Sequence, residues 1–204
     1  MISYLRDPAE IYRRSFQAIR AEADLAAVPP ALQDVAVRMI HACGMTDIVS
    51  DLRWSSDFAE RARAAFTQGA RVITDARMVA DGIVSPELRA GRVVCVLDDA
   101  PAAADQATTR TAAALAARPD LSGNLVVIGN APTALFRLLE LIDEGIARPA
   151  GIIGLPVGFV GAAESKAELA ANPRGIPFLT LLGRRGGSAM AAAAVNALTL
   201  REPS

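Results

Sequence analysis

The side chain best suited to acid–base chemistry in this chain of 204 residues is its only histidine, His41. An imidazole can give or take a proton near neutral pH. The surrounding residues predict a helix over 31–43 that ends at Gly44. Its core-facing stripe consists of Leu32, Val35, Ala36, Met39, Ile40 and Cys43. His41 falls on the opposite side with Arg38 one turn before it, which predicts a catalytic acid or base beside a cation; a solvated surface histidine is the alternative.

Two further groups of polar residues could bind a ligand. Ser15 lies at the edge of the apolar side of a helix predicted over 7–23, where its hydroxyl can face a cleft or remain on the surface. Arg110 and Thr111 lie among other threonines in a helix predicted over 106–117. An arginine surrounded by hydroxyls near a helix start suits a ligand that carries carboxylates, although helix capping and solvation account for the same residues.

The stretch 125–166 contains two short apolar runs, LVVIG and AGIIGLP, each followed by a glycine-bearing turn and a helical pattern. Buried parallel strands have this appearance. The turns, over 129–133 and 158–161, could bring backbone N–H groups close to an anion. Two such turns at the carboxyl ends of neighbouring strands predict a ligand crevice, and ordinary strand-to-helix connections are the alternative.

Composition excludes several classes of function. The formal net charge of −1 provides no overall attraction to nucleic acid or to an anionic membrane. Two separated cysteines fit a reducing compartment and cannot form a His/Cys metal site with one histidine. The sequence contains neither the phosphate-binding loop nor the dinucleotide fingerprint nor the serine hydrolase elbow. Without a signal sequence or a membrane-length apolar run, we expect a cytoplasmic protein that needs no metal.

Strands and helices alternate along the chain. Strands are predicted over 71–74, 92–97, 125–129, 150–156 and 175–182, with a possible short edge strand over 52–54. Asp75 is expected to cap a short helix over 76–80, a loop over 98–104 could be mobile, and an alanine-rich helix is predicted over 189–200. The alternation predicts an α/β fold: a single three-layer α/β/α domain over 1–204 with a mostly parallel, Rossmann-like sheet of about five strands.

Five blocks of the sequence resemble one known family. The blocks IYRRSFQAIRAEAD, RMIHACG, VVIGNAPTALFRLLELI, GLPVGFVGAAESK and GRRGGSAMAAAAVNAL occur in the order found in the precorrin-8X methylmutase (precorrin isomerase) family of cobalamin biosynthesis. The resemblance covers nearly the whole chain. It implies an isomerase that moves a methyl group between adjacent carbons of ring C and converts precorrin-8X to hydrogenobyrinate, with no cofactor and no external methyl donor.

The resemblance also implies roles for individual residues. His41 matches the family's catalytic acid or base, which is thought to protonate the ring C nitrogen. The substrate-binding residues expected from the resemblance and the turns are Ser15, Arg38, Arg110, Thr111, Asn130, Ala131, Gly158, Phe159, Val160 and Gly161. The family further implies a homodimer whose active sites are shared between subunits. Two other functions stay open: a methylmutase of the anaerobic route, acting on cobalt-precorrin-8, and a non-catalytic hydrogenobyrinate carrier.

Overall fold

The sheet that organises the molecule has the strand order β1-β6-β5-β4-β2-β3. The computed structural model describes residues 2, 4–98 and 108–200, and the six strands lie within these ranges. They are β1 Leu52–Trp54, β2 Val72–Thr74, β3 Val93–Cys95, β4 Leu125–Ile128, β5 Gly151–Gly154 and β6 Phe178–Leu181. All neighbouring strands pair in parallel except β1, which pairs antiparallel with β6 at one edge. The predicted α/β class and mostly parallel sheet are confirmed, and the possible edge strand over 52–54 makes the sixth strand.

Helices cover both faces of the sheet. The described ranges contain α1 Pro8–Glu22, α2 Pro30–Cys43, α3 Phe58–Thr67, α4 Arg77–Gly82, α5 Pro86–Arg89, α6 Arg110–Ala116, α7 Pro132–Asp143, α8 Ala162–Ala171 and α9 Ser188–Thr199. One buried cluster joins the sheet to α1, α2, α3, α4 and α9, and a second joins it to α6, α7 and α8. These two apolar layers on a buried sheet are the predicted three-layer arrangement.

The alanine-rich helix α9 packs closely against its neighbours because its side chains are small. Met190 to Ala192 and most of the following residues are buried. The approach is so close that a Cβ at Gly82 of α4 would lie 2.7 Å from the Cβ of Ala192. Helix α2 packs against α9 on one side and against α1 on the other. The side of α2 that carries His41 therefore lies next to α1, and His41 itself stays partly open to solvent.

The packing of α2 fixes which edge of the sheet His41 approaches. At the start of α2, the carbonyl oxygen of Ala31 accepts a hydrogen bond from Arg63 on α3 at 3.1 Å. At its end, Gly44 adopts a left-handed φ of 70° and the chain enters a 3₁₀ helix, Thr46–Asp51. That helix leads into Leu52, which pairs with Leu181 at the carboxyl end of β6. The C-terminus of α2 therefore lies towards the carboxyl edge of the parallel strands.

Several element boundaries differ from the predictions. Asp7 caps α1 through its side chain, as its position before Pro8 predicts. Helix α6 begins at Arg110, later than predicted, with Thr109 as its cap. Residues 99–107, which hold most of the loop predicted over 98–104, lie outside the described residues. The strand predicted over 175–182 begins only at Phe178, because Gly175 turns with a φ of 73°. None of the described helices has the length and apolar character needed to cross a bilayer.

The prediction that Asp75 caps the following helix is wrong. Its buried carboxylate accepts backbone hydrogen bonds from Gly129 at 2.8 Å, Asn130 at 2.9 Å and Ala131 at 2.7 Å. Helix α4, which starts at Arg77, has no side-chain cap. Burial raises the pKa of Asp75, and the three N–H donors oppose that rise. Asp75, which follows β2, thus fixes the position of the turn that follows β4, and these two strands are neighbours in the sheet.

We expect Asp75→Asn to destabilise the fold by about 1–3 kcal/mol, because the amide nitrogen would face at least one backbone donor that then stays unpaired in the interior. Urea unfolding should show a lower midpoint with an unchanged slope. Asp81→Asn is the matched control, since Asp81 is exposed on α4. Equal midpoints for the two variants would contradict the role of the carboxylate.

Candidate active site

Helices α1 and α2 bring Ser15 and His41 together. The Oγ atom of Ser15 lies 2.9 Å from Nδ1 of His41, a hydrogen bond between residues 26 apart in sequence. In the neutral tautomer in which the hydroxyl donates to Nδ1, the ring's proton is on Nε2, whereas in the other neutral tautomer Nδ1–H donates to the hydroxyl and Nε2 is an acceptor. In the imidazolium, Nδ1–H donates to the hydroxyl and Nε2 carries a second proton. The pair can therefore present a proton donor on the outer side of the ring.

Aromatic rings on α1 support the imidazole. Tyr12 and Phe16, one turn apart, stack with their ring centroids 4.1 Å apart. The His41 ring is tilted against them, at 5.2 Å from Phe16 and 5.9 Å from Tyr12. The two rings therefore contact one side of the imidazole, while the rest of His41 is exposed. A cavity of about 200 Å³ lies beside it, lined by Ser15, Ala18, Ile19, Glu22, Ile40, Gly44 and Thr46.

Arg38 lies on the same side of α2 as His41. Its guanidinium carbon is 5.6 Å from the centroids of both Tyr12 and Phe16, which is within cation–π range. Its Nε atom is buried and has no hydrogen-bond partner among the described residues. No acidic side chain in the described part of the chain forms an ion pair with Arg38. A buried, unpaired guanidinium N–H is costly, so this arginine is prepared to receive an anion.

A second group of predicted site residues lies along the carboxyl edge, on the side of the sheet covered by α6, α7 and α8. Arg110 is the exposed first residue of α6, and Thr111 behind it is half-buried. The preceding residue, Thr109, forms a hydrogen bond of 2.7 Å with Thr133 at the start of α7. This contact places Arg110 beside the turn that follows β4.

The turn after β4 does not offer the free N–H groups that its sequence suggested. Asp75 already occupies the N–H groups of Gly129, Asn130 and Ala131. A negative carboxylate beneath the turn also works against an anion at those donors. Of the predicted contacts here, the exposed Asn130 side chain remains able to reach a ligand, while Ala131 is half-buried and forms part of the scaffold.

The turn after β5 projects apolar side chains from the edge. Phe159 is 83% exposed and Val160 is 87% exposed. Gly161 has a φ of 78° and leads into α8, and Gly158, with a φ of 150°, donates its N–H to the carbonyl of Arg184 at 3.3 Å. The guanidinium of Arg184 lies 5.3 Å from the centroid of the Phe159 ring. Large exposed apolar side chains in a glycine-rich turn are typical of a surface that another molecule covers.

Sequence reasoning missed the importance of the loop 183–187, which we call the arginine loop. Arg185 binds Asp47 at 2.7 Å and Asp51 at 2.8 Å, which attaches the loop to the 3₁₀ helix next to the His41 cavity. Gly186 lies very close to the segment that follows β5: a Cβ atom on Gly186 would be 2.6 Å from the carbonyl oxygen of Pro156. The only signal in the sequence was the run Gly-Arg-Arg-Gly-Gly directly after a strand.

The predicted residues thus form two groups on the same edge. Ser15, Arg38 and His41 are held by α1 and α2, and the others lie on the turns and helix starts of the opposite layer. No hydrogen bond, ion pair or ring contact between described residues joins a member of one group to a member of the other.

A larger cavity of about 530 Å³ lies at the opposite, amino edge of the sheet, next to Arg61 and Arg148. None of the predicted site residues lines it.

Known proteins resemble this chain over nearly its whole length. The model of the precorrin-8X methylmutase family matches residues 10–200. The chain belongs to this family. It is 58% identical over 203 residues to the precorrin-8X methylmutase of Pseudomonas aeruginosa, with 97% of this chain and 98% of the relative covered. It is 52% identical to the precorrin-8X methylmutase of a Sinorhizobium species, over 96% of this chain and 95% of the relative.

Solved structures place the precorrin-8X methylmutase family on the same fold. The chain superposes on the crystal structure of precorrin-8X methylmutase from Thermus thermophilus with a TM-score of 0.80 and 37% identity, covering 93% of this chain and 94% of that one. Relatives named cobalt-precorrin-8 methylmutase are more distant; that of Priestia megaterium is 34% identical over 95% of this chain and 88% of its own length. The resemblance seen in the five sequence blocks is therefore confirmed, and with it the assignment to the isomerases.

Proposed function

We propose that this chain is a precorrin-8X methylmutase that converts precorrin-8X to hydrogenobyrinate, with His41 as its proton donor. The observation that carries the proposal is the hydrogen bond between Ser15 and His41 in a chain of this family, beside Arg38, whose buried Nε atom has no hydrogen-bond partner among the described residues. The reaction breaks one carbon–carbon bond to a methyl group and forms another at the adjacent carbon of ring C. It needs no external methyl donor and no cofactor.

Proton delivery by His41 explains how the protein assists this rearrangement. As an imidazolium, His41 gives its Nε2 proton to the ring C nitrogen and becomes neutral, which makes that part of the macrocycle electron-poor and selects the tautomer in which a [1,5]-sigmatropic methyl shift can occur. Ser15 holds the imidazole through Nδ1, and the Tyr12–Phe16 stack limits its rotation. Holding the donor in one orientation lowers the entropic cost of the proton transfer.

Arginines supply the binding energy for the acetate and propionate groups of the substrate. Arg38 receives one carboxylate beside the histidine, since its buried Nε lacks any described partner. Arg110 receives another, next to Thr111 and Asn130, and the turn over 158–161 contacts the macrocycle through Phe159 and Val160. Arginine suits this task because its planar fork binds carboxylates in a bidentate manner.

The cobalt-free substrate is the preferred one in this proposal. The relatives at 58% and 52% identity are named precorrin-8X methylmutase, whereas the relatives named cobalt-precorrin-8 methylmutase from Priestia megaterium and Salmonella typhimurium are 34% and 37% identical. Sequence identity therefore groups the chain with the enzymes named for the cobalt-free substrate.

We place the reaction in the cytoplasm, because the two unpaired cysteines fit a reducing compartment. We also take residues 1–204 as one domain.

We further propose a homodimer whose active sites are shared between subunits. Two observations support it: the site residues of one chain form two groups with no direct contact between them among the described residues, and the turn over 158–161 exposes Phe159 and Val160 almost completely. In the two-fold dimer that we propose, the partner subunit covers this turn, and the arginine and threonine group of one subunit lies opposite the histidine of the other.

Replacing His41 by alanine should lower the turnover of precorrin-8X by about 10² to 10⁴-fold, because the proton donor is lost. The visible spectrum of the corrin follows the reaction. The melting temperature should stay near that of the wild type, since His41 is exposed. Added imidazole should restore part of the rate through the space left at the cavity. Full turnover by His41→Ala would refute the role, and wild-type binding of hydrogenobyrinate without multiple turnovers of precorrin-8X would favour the carrier function.

Replacing Arg38 by alanine should weaken hydrogenobyrinate binding by roughly 10- to 100-fold, the range for a hydrogen bond to a charged group, with a smaller effect on kcat. Titration of the product's absorbance gives the Kd. Arg137→Ala on α7 is the control, because it removes the same charge from a residue paired with Glu140 and Glu144 on the other face. An unchanged Kd for Arg38→Ala would argue against the contact.

Sedimentation equilibrium tests the dimer. The wild type should have twice the 21.3 kDa mass of the chain, and the double variant Phe159→Ser, Val160→Ser should shift towards the single-chain mass. Ile146→Ser, which changes another exposed apolar side chain, should leave the dimer intact. A single-chain mass for the wild type at micromolar concentration would rule out the shared site.

A further inference from the structure

Lys166 is unusual in this chain because of its type and its position. The sequence contains 21 lysines and arginines, and Lys166 is the only lysine among them. Its side chain has no exposed surface. Burying an ammonium group is expensive, and a lysine serving solubility would lie on the surface, where this chain uses arginine throughout. A position that combines the one lysine with full burial therefore calls for a specific contact.

That contact is with the arginine loop. Lys166 lies in the second turn of α8, and its Nζ atom donates a hydrogen bond to the backbone carbonyl of Arg185. Burial lowers the pKa of Lys166 to about 8, and the negative charge of Asp51 opposes that shift. Asp51 is also bound by the side chain of Arg185. The lysine and the aspartate thus approach the same residue of the loop, one through its backbone and the other through its side chain.

The arginine loop connects both groups of candidate site residues. Through the carbonyl of Arg184 it accepts a hydrogen bond from Gly158, in the turn that bears Phe159. Through the side chain of Arg185 it binds the 3₁₀ helix, whose first residue, Thr46, lines the His41 cavity. Through Gly187 it donates to the carbonyl of Leu155 at 2.8 Å. A shift of this loop would therefore move both groups.

We propose that Lys166 is a positioning residue: by holding the arginine loop, it fixes the positions of both the His41 group and the turn that bears Phe159. It does not touch substrate, because its side chain is fully buried. The compact ammonium fits this task better than a guanidinium, since it can enter the closed space under the loop and donate to a single carbonyl. The inference rests on the proposed function for the identity of the ligand.

The test compares Lys166→Met with Leu169→Ala. Methionine keeps the length of the side chain and removes the donor, and Leu169→Ala opens a void in the core on the same helix without changing a contact to the arginine loop. We expect Lys166→Met to raise the Kd of hydrogenobyrinate by about tenfold, as expected for loss of an ordering hydrogen bond. Its Gly158 amide should also exchange faster with solvent. Leu169→Ala should melt at a lower temperature but keep its Kd within about twofold of the wild type.

The outcomes separate positioning from plain stability. If Leu169→Ala loses as much affinity as Lys166→Met, or if Lys166→Met keeps wild-type affinity and Gly158 exchange, the proposal is overturned. If Lys166→Met does not fold, wild-type protein labelled with ¹⁵N-lysine decides, because it has only one lysine side-chain signal. That signal should shift when hydrogenobyrinate binds, and an unchanged signal would overturn the proposal. A wild type that binds hydrogenobyrinate but does not turn over precorrin-8X would reject the proposed function and leave the Lys166 test intact.

Discussion

The packing of α2 between α1 and α9 is the constraint on which the candidate site depends. The apolar stripe of α2 is buried against the alanine-rich α9, which leaves the opposite side of α2 for α1. Only this arrangement lets Ser15 reach His41 from another helix, with Phe16 against the imidazole. The hydrogen bond fixes the orientation of the ring, and the ring stack limits its movement. An exposed histidine thereby gains the fixed geometry that proton transfer requires.

The carboxyl edge of the sheet holds the rest of the site through buried polar contacts. Asp75 accepts hydrogen bonds from the turn after β4. Lys166 and Asp51 both bind Arg185 of the arginine loop, which follows β6. Gly186 brings the arginine loop into contact with the backbone after β5 at a distance that no side chain would permit. Because neighbouring strands of a parallel sheet end at one edge, these contacts align turns that are far apart in sequence.

The sequence predicted what depends on local pattern. Helical spacing correctly separated His41 and Arg38 from the core stripe of α2, and alternation of strands and helices correctly indicated the three layers. Local pattern failed for Asp75. Its position before a short helix suggested a helix cap, but its carboxylate instead accepts hydrogen bonds from a turn that begins 54 residues later. Local pattern also did not indicate what Lys166 and Arg185 contact, because their partners come from other elements. The roles of the predicted substrate-binding residues remain proposals that the geometry supports for Arg38 and Ser15 most directly.

The most direct test of the central claim is a crystal structure of the protein with hydrogenobyrinate bound. Proton delivery by His41 requires the ring C nitrogen to lie within about 3.2 Å of His41 Nε2, with Ser15 still bound to Nδ1. A carboxylate of the macrocycle should occupy the free side of Arg38. A complex in which the ring C nitrogen faces another side chain, and His41 contacts only water, would contradict the account.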